Sequence, residues 1–394
     1  MKITRCFFAL LFLASALAGL ALITGAQKPA SKTHYLALVG TYTNRTASKG
    51  IYAFDFDSAS GKLTFQGIAA ETSDPSWVVI HPNGKFVYAA NESGKQSTIT
   101  AFSLDAQSAK LTQLNQLPAL GEDPCHLSFD RTGKFLFVAN YTSGNVVVLP
   151  ILPDGKLGTA TANVKDAGTL GPNKERQEAP HAHWVSSVGG EVFVADLGLD
   201  RVLFYDFNPV KGTLALHDAT VSPQRPFAQN SLELKPGTGP RHAAFGKNYE
   251  FGQVIYVLGE LDSTVTVFGT SKEGIFGSRQ KLSTLPTGFS GRNDDAEIAV
   301  HPDGKWLFAS NRGHDSIAVF SVDSADGSLK MAGDYPTGGK EPRHFVIDPT
   351  GKFLLAENQN SNSIAVFRID ETTGALTQVS QTADVPSPVC LAFL

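Results

Sequence analysis

Cysteine is scarce in this chain, which has three cysteines in 394 residues. Cys6 lies near the N-terminus, so only Cys125 and Cys390 remain in the body of the sequence. In the repeat described below, these two fall in units that are separated by one other unit. We expect their Cα atoms to be further apart than the roughly 7 Å that a disulfide tolerates. The sequence therefore predicts two buried free thiols and no disulfide.

An excess of charge of either sign is also lacking. The formal net charge is −4, and there is no basic stripe or acidic tail, which argues against a nucleic-acid partner. His181 and His183 form a His-x-His pair of the kind that binds metals on a strand, but they have no clear acidic partner nearby in sequence. We expect neither a metal nor another cofactor.

Long apolar runs are absent beyond the N-terminus, and this excludes further membrane spans. The one such run, from Phe7 to Ile23, follows Lys2 and Arg5 and precedes the small residues Thr24-Gly25-Ala26. This pattern predicts a signal peptide over residues 1–26, cut after Ala26, with an uncleaved membrane anchor as the alternative. Cys6 precedes the run, which argues against a lipoprotein. We expect residues 27–394 to be a soluble periplasmic or secreted protein that has no membrane contact after cleavage.

A repeat of 47 to 49 residues fills the remainder of the chain. Two apolar runs joined at a Pro-x-Gly-Lys turn recur, with turn glycines at Gly84, Gly133, Gly304 and Gly351. The pattern predicts paired strands and tight turns, and the period is enough for a four-stranded blade. The 37 glycines and 21 prolines, with no long helical periodicity, agree with an all-β fold.

The two ends of the chain complete one further unit. Residues 385–394 match only the first strand of the repeat, and residues 34–70 match the other three. Pairing the C-terminal strand with the N-terminal strands closes a ring and leaves no sheet edge unpaired. We predict a single domain over residues 27–394, a seven-bladed β-propeller of four-stranded antiparallel blades, and we expect a monomer.

Histidines recur at the start of the first strand, which lines the central channel of a propeller. When the repeats are aligned, this position forms a column that holds Trp77, His126, His183, His242, Glu297, His344 and Cys390. The preceding column adds Arg241 and Arg343, and the column at the end of the second strand includes Glu260 and Arg312. Any single histidine here has an equally good structural explanation, but the whole set predicts a polar pocket in the channel.

The motifs together resemble a known family. Gly40-Thr41-Tyr42-Thr43, Pro180-His181-Ala182-His183, Gly239-Pro240-Arg241-His242, Glu260-Leu261-Asp262-Ser263-Thr264 and Ser310-Asn311-Arg312-Gly313-His314 are similar to segments of the lactonase family of seven-bladed propellers. That family includes the propeller-type 6-phosphogluconolactonases and carboxy-muconate cyclase. The resemblance implies chemistry on a lactone ring without a metal. It also implies a catalytic set of His183, Arg241, Glu260 and Arg312. Gly259 departs from the asparagine that the family often has there.

These residue types suit the opening of a lactone. We expect His183 to take the proton of the attacking water, with Glu260 or Glu297 orienting or replacing it, and Arg241 to stabilise the oxyanion. Arg312 and Arg343 would hold a carboxylate or phosphate on the substrate. The predicted substrate-binding residues are His126, His181, His242, Glu297, His314, Arg343 and His344.

The expected function is hydrolysis of a sugar-acid lactone, as in 6-phosphogluconolactonase, with a small molecule as the only partner. A lactonising, cyclase-like enzyme and a non-catalytic binding propeller stay open as alternatives. A calcium-dependent lactonase is disfavoured, because the columns hold histidine and arginine in place of an Asp/Asn/Glu cage.

Overall fold

Seven small antiparallel sheets make up the described part of this protein. The computed structural model describes residues 32–188, 190–218, 229–246, 253–271, 275–383 and 385–394, and one compact unit runs from Thr33 to Leu394. The predicted signal peptide, residues 1–26, lies outside the described residues.

The strands are short and follow one another through tight turns. Those of the first half are β1 (His34–Thr41), β2 (Gly50–Asp57), β3 (Lys62–Glu71), β4 (Pro75–Ile80), β5 (Phe86–Asn91), β6 (Thr98–Asp105), β7 (Lys110–Pro118), β8 (Pro124–Phe129), β9 (Phe135–Asn140), β10 (Asn145–Pro150), β11 (Ala162–Lys165), β12 (Ala182–Val188), β13 (Glu191–Asp196) and β14 (Arg201–Asn208). Those of the second half are β15 (Thr213–Leu216), β16 (Ser231–Glu233), β17 (Pro240–Phe245), β18 (Val254–Gly259), β19 (Thr264–Thr270), β20 (Phe276–Ser283), β21 (Asp294–Val300), β22 (Trp306–Arg312), β23 (Ser316–Val322), β24 (Leu329–Pro336), β25 (Pro342–Ile347), β26 (Phe353–Asn358), β27 (Ser363–Ile369), β28 (Leu376–Ala383) and β29 (Pro388–Phe393).

The sheets are the seven predicted blades. Blade 1 has the order β29-β1-β2-β3, so the C-terminal strand pairs with the N-terminal strands as predicted. Blades 2 to 7 begin at β4, β8, β12, β17, β21 and β25. These innermost strands contact one another around the ring, and β29 contacts both β25 and β4. The prediction of a closed seven-bladed propeller is confirmed.

Blade 4 departs from the four-strand plan, because its outer strand is in two pieces. β15 pairs with residues 205–208 of β14, and β16 pairs with residues 201–203 of the same strand. The two pieces occupy consecutive stretches of one edge, so together they take the place of a single fourth strand.

The hydrophobic core lies between the blades. Seven clusters of buried apolar side chains occur, each at the contact of two neighbouring blades. The repeated turns support this packing: their glycines adopt φ of 68° to 78°, which favours glycine. His81 and His301 accept a backbone N–H within these turns.

The described part of the chain has little helix. Gly94–Gln96 and Gln359–Ser361 form single turns of 3-10 helix. None of the helices among these residues has the length and apolar character needed to cross a bilayer. Cys125 and Cys390 are buried and free, in agreement with the prediction.

Candidate active site

A β-bulge at the start of the innermost strands places the side chains of the candidate site. In blades 2, 3, 4, 5 and 7 the register shifts by one residue just after the strand begins. The residue inside each bulge is unpaired, and bulges beside active sites commonly re-aim a side chain. These bulged residues are Ser76, Cys125, His183, Arg241 and Arg343, and the last four line one cavity.

The cavity lies where the innermost strands begin and has a volume of about 260 Å³. Its other walls come from residues at the ends of the second strands, as the sequence predicted, namely Glu92, Tyr141, Glu260 and Arg312. One loop residue, Arg176, completes the lining. A volume at the small end of the range for ligand pockets suits a ligand of monosaccharide size.

The alignment of blade 4 by sequence was wrong by one residue. The structure pairs Trp184 with Ala195, as it pairs His126 with Ala139 in blade 3. His183 is therefore the bulged residue, equivalent to Arg241 and not to His126. The shift explains why His183 lines the cavity although His126 does not.

Three arginines converge on one carboxylate. Arg176 Nη2 lies 2.5 Å from Glu260 Oε1, whereas Arg241 Nε and Arg312 Nη2 lie 3.1 and 3.3 Å from Oε2. Burial would raise the pKa of Glu260, but the charges of the three arginines lower it to about 2. Glu260 is thus an ionised anchor for three cations.

Besides Glu260, Arg241 contacts a backbone carbonyl and a histidine. Its Nη1 donates to the Ala296 carbonyl and lies 3.4 Å from His242 Nε2. Burial lowers the pKa of Arg241, and neighbouring Arg312 and Arg343 lower it further, to about 10. The guanidinium therefore stays charged at neutral pH, in a fixed position.

Arg176 is a residue that sequence reasoning missed. It lies in the link between β11 and β12, outside the repeat, and it also donates to the Tyr141 hydroxyl at 3.3 Å. Its side chain is about one-third exposed, which places it at the mouth of the cavity. The signal available was the length of this link, residues 166–181, since the neighbouring links between blades are shorter.

Arg343 differs from the other three arginines. It forms no ion pair with a described residue, and its guanidinium carbon lies 5.3 Å from the ring centroid of Tyr42. The Tyr42 hydroxyl donates to Glu92 at 2.8 Å. The lining of the cavity thus has four guanidinium groups and two carboxyl groups, and outside the lining Asp294 lies 3.7 Å from Arg176 Nη1.

His183 is a buried neutral imidazole. Burial lowers its pKa well below the usual value, and the charge of Arg241 adds to this. Its Nδ1 is buried without a hydrogen-bond partner. The neighbouring Cys125 thiol points to the His183 carbonyl at 3.4 Å, and burial raises the pKa of that thiol. His183 can therefore accept a proton, while Cys125 stays protonated.

Four of the predicted substrate-binding residues lie together below the cavity and do not line it. His126, His242, His344 and Glu297 are buried in the channel. The ring of Trp77 contacts all three histidines, with centroid separations of 4.4 to 5.5 Å. Of the predicted substrate-binding set, Arg343 alone lines the cavity.

His181 and His314 also lie outside the cavity lining. The ring of His181 stacks on Tyr141 at 4.6 Å, and its Nε2 lies 3.2 Å from Glu178, an acidic partner that sequence reasoning overlooked. His314 lies 2.8 Å from the Ser316 hydroxyl and packs against Phe289. Among the described residues, no three His, Cys, Asp or Glu side chains are grouped to hold a metal ion.

Comparisons with known proteins agree with this architecture. The family described as "Lactonase, 7-bladed beta-propeller" matches residues 36–393. A 6-phosphogluconolactonase of Bacillus subtilis (strain 168) is 36% identical over 365 residues, which cover 92% of this chain and 99% of the relative. A 6-phosphogluconolactonase of Formosa agariphila is 33% identical over 318 residues, covering 78% and 85% of the two chains.

Among solved structures, the periplasmic gluconolactonase of Pseudomonas aeruginosa superposes with a TM-score of 0.83 at 32% identity, covering 92% of this chain and 99% of the other. The match to the family extends over nearly all of the propeller and includes every strand that contributes to the cavity. This chain therefore belongs to the lactonase family of seven-bladed β-propellers.

Proposed function

We propose that this protein hydrolyses the lactone of a sugar acid that carries an anionic group. The observation that carries the proposal is the surplus of guanidinium groups over carboxyl groups in the cavity lining, where Arg343 forms no ion pair with a described residue. Planar guanidinium groups bind carboxylate and phosphate through paired N–H donors. The relatives named as 6-phosphogluconolactonases and the periplasmic gluconolactonase support the lactone.

His183 is the proposed general base. Glu260 is unsuited to that role, because its pKa is about 2 and three arginines engage its oxygens. Burial is the main cause of the low pKa of His183, and the charges of Arg241 and Arg343 lower it further. A bound anionic substrate compensates these charges, and it thereby raises the pKa of His183 toward neutrality, where a general base works best.

We propose the following reaction. His183 takes a proton from water as the water oxygen bonds to the ring carbonyl carbon, and Arg241 stabilises the negative charge on the carbonyl oxygen. The bond from the carbonyl carbon to the ring oxygen breaks, and His183 returns its proton to that oxygen. The product is a hydroxy acid, which releases a proton at neutral pH.

We also propose that the mature protein works in the periplasm or outside the cell. The N-terminal charge, apolar run and small residues support this, as does the periplasmic relative of Pseudomonas aeruginosa. Cell fractionation of the tagged full chain tests it: recovery of a shortened protein with the periplasm is expected, and recovery of the full-length chain in the cytoplasm contradicts it.

Proton release by the purified protein tests the proposed activity. Rates with 6-phosphogluconolactone, a carboxylate-bearing aldarolactone and glucono-lactone are measured at neutral pH, with and without EDTA. We expect turnover well above the spontaneous rate, unchanged by EDTA and lost in His183→Ala. His34→Ala is the matched control, because His34 is an exposed histidine at the start of β1 and does not line the cavity. Absence of turnover on all three lactones contradicts the proposal and favours a binding propeller.

A further inference from the structure

A chain of buried polar groups runs from the cavity into the channel. Arg241 Nη1 lies 3.4 Å from His242 Nε2, and His242 Nδ1 lies 3.1 Å from both oxygens of Glu297. On the other side of Glu297, His344 Nε2 lies 3.6 Å from Oε2, and His344 Nδ1 lies 2.6 Å from Glu357 Oε2. The reaction proposed above uses Arg241 alone among these five groups.

We propose that Glu357 is a neutral carboxylic acid at the buried end of a chain of contacting polar groups that positions Arg241. The four residues behind Arg241 are thus positioning residues and not substrate ligands. This inference rests on the proposed function for its kinetic consequence, but the protonation of Glu357 is independent of any activity.

Donors and acceptors along the chain lead to this assignment, beginning at Glu297. Burial raises the pKa of Glu297, but the Ile298 N–H and the charge of Arg241 oppose the shift, and the pKa of Glu357 is raised more, so Glu297 is the ionised group of the two. An ionised carboxylate only accepts hydrogen bonds, and Glu297 Oε1 also accepts the Ile298 N–H at 2.9 Å. His242 Nδ1, which is within hydrogen-bond distance of Glu297, therefore carries a proton. His344 Nε2 lies 3.6 Å from Glu297, which is too far for a hydrogen bond, but the negative charge of Glu297 favours the tautomer that has its N–H on this side. In a neutral imidazole the other nitrogen is an acceptor. His242 Nε2 thus accepts from Arg241, whose guanidinium can only donate.

The same reasoning fixes the far end of the chain. With its proton on Nε2, neutral His344 has an acceptor at Nδ1, so Glu357 Oε2 must supply the proton of the 2.6 Å hydrogen bond. Glu357 is completely buried, and its Oε1 has no hydrogen-bond partner among the described residues. Burying an ionised carboxylate that has one oxygen without a hydrogen bond costs much free energy. A neutral acid costs less, because it leaves only an uncharged carbonyl oxygen without a hydrogen bond.

The surroundings of Glu357 and His344 favour the uncharged form of both side chains. Burial raises the pKa of Glu357 well above its usual value, and the neighbouring Glu297 charge adds to this. Burial lowers the pKa of His344, although Glu297 opposes the shift. The Trp77 ring, 5.2 Å from His344 and 5.5 Å from His242, covers both imidazoles.

Infrared difference spectroscopy tests the protonation state directly. The parent protein at neutral pH is compared with Glu357→Gln, and with Glu371→Gln as a control at an exposed glutamate. We expect the C=O stretching band of a protonated carboxyl group to disappear in Glu357→Gln and to persist in the control. If the two spectra show the same protonated-carboxyl band, Glu357 is ionised and the proposal is wrong.

Kinetics test the positioning role. Gln at position 357 can donate its amide N–H to His344 as the acid does, so Glu357→Gln should keep kcat within about twofold. Glu357→Leu removes the donor, and we expect kcat to fall about 10-fold to 100-fold with little change in KM, as a small misplacement of a catalytic group produces. Equal kcat values for folded Gln and Leu variants overturn the positioning role. If no lactone is turned over, the proposed function fails, while the infrared result still stands or falls by itself.

Discussion

Replacing Glu260 with glutamine tests the arrangement of arginines in the cavity. Gln has the same shape but no charge, so Glu260→Gln leaves Arg176, Arg241 and Arg312 without their common anion. The fall in the pKa of Glu260 from 4.5 to about 2 corresponds to about 3 kcal/mol of interaction with its surroundings. This agrees with the roughly 3–5 kcal/mol lost when one partner of a buried ion pair is removed.

The pH dependence follows from the direction of that shift. A carboxyl group whose pKa is depressed by folding stabilises the protein above its unfolded pKa, here about 4.5, and the contribution is lost as the pH falls towards about 2. The parent should therefore be more stable than Glu260→Gln by about 3 kcal/mol at pH 7, and the difference should shrink as the pH falls from about 4.5 to 3.

Thermal unfolding measures this difference. At about 2 °C per kcal/mol for a domain of this size, the melting temperature should fall by about 6 °C at pH 7. Added sulfate should restore more stability to the variant than to the parent, because the unpaired guanidinium groups bind anions. Glu233→Gln is the matched control: its partner Arg201 is near the surface and Glu233 is 71% exposed, so little change is expected. An unchanged melting temperature for Glu260→Gln at pH 7 would refute the reasoning.

Three further outcomes are expected. Arg343→Ala should raise KM for an anionic lactone at least tenfold in steady-state assays but barely change the melting temperature, because Arg343 has no ion pair to lose; equal KM values contradict this. His183→Gln should lower kcat by about 10² to 10⁴ at constant fold, and full activity removes His183 from the reaction. Burial and Asp196 raise the pKa of Asp166, so its contribution to stability is lost as pH rises above about 4. Asp166→Asn, which still accepts from Tyr205, should therefore gain stability over the parent at pH 8 but not at pH 4 in thermal unfolding, and an equal effect at both pH values contradicts this.

The fold could be predicted because each blade corresponds to one copy of a sequence repeat. The turn glycines and the apolar runs around them recur often enough to show the blade, and the incomplete units at the two ends show how the ring closes. The divided outer strand of blade 4 could not be predicted, because β15 and β16 are short and have no counterpart in the other copies.

The candidate site was predictable only in part. Arg241, Glu260 and Arg312 stand in repeat columns, so their convergence follows from propeller geometry. His183 was assigned to the wrong column, because it was aligned with the histidine His126. The structure places Trp184 at the position of His126, and Ala182 stands where the other bulged blades have proline.

Two important residues, Arg176 and Glu357, were not among the site residues predicted from the aligned repeats. Arg176 belongs to a link between blades, where no repeat constrains its position. Glu357 did leave a signal, since other copies place small or apolar residues such as Ala90, Ala139 and Leu258 at its position. A lone carboxylate in an apolar column indicates a buried polar contact, which the structure identifies as His344.

The ratio of kcat/KM for an anionic lactone to that for an uncharged lactone of the same ring tests the central claim most directly. The account predicts a ratio well above ten for the parent, with 6-phosphogluconolactone or an aldarolactone against glucono-lactone. It also predicts a ratio near one for Arg343→Ala, while exposed Arg292→Ala behaves like the parent. A parent that prefers the uncharged lactone, or a preference that survives in Arg343→Ala, would contradict the account.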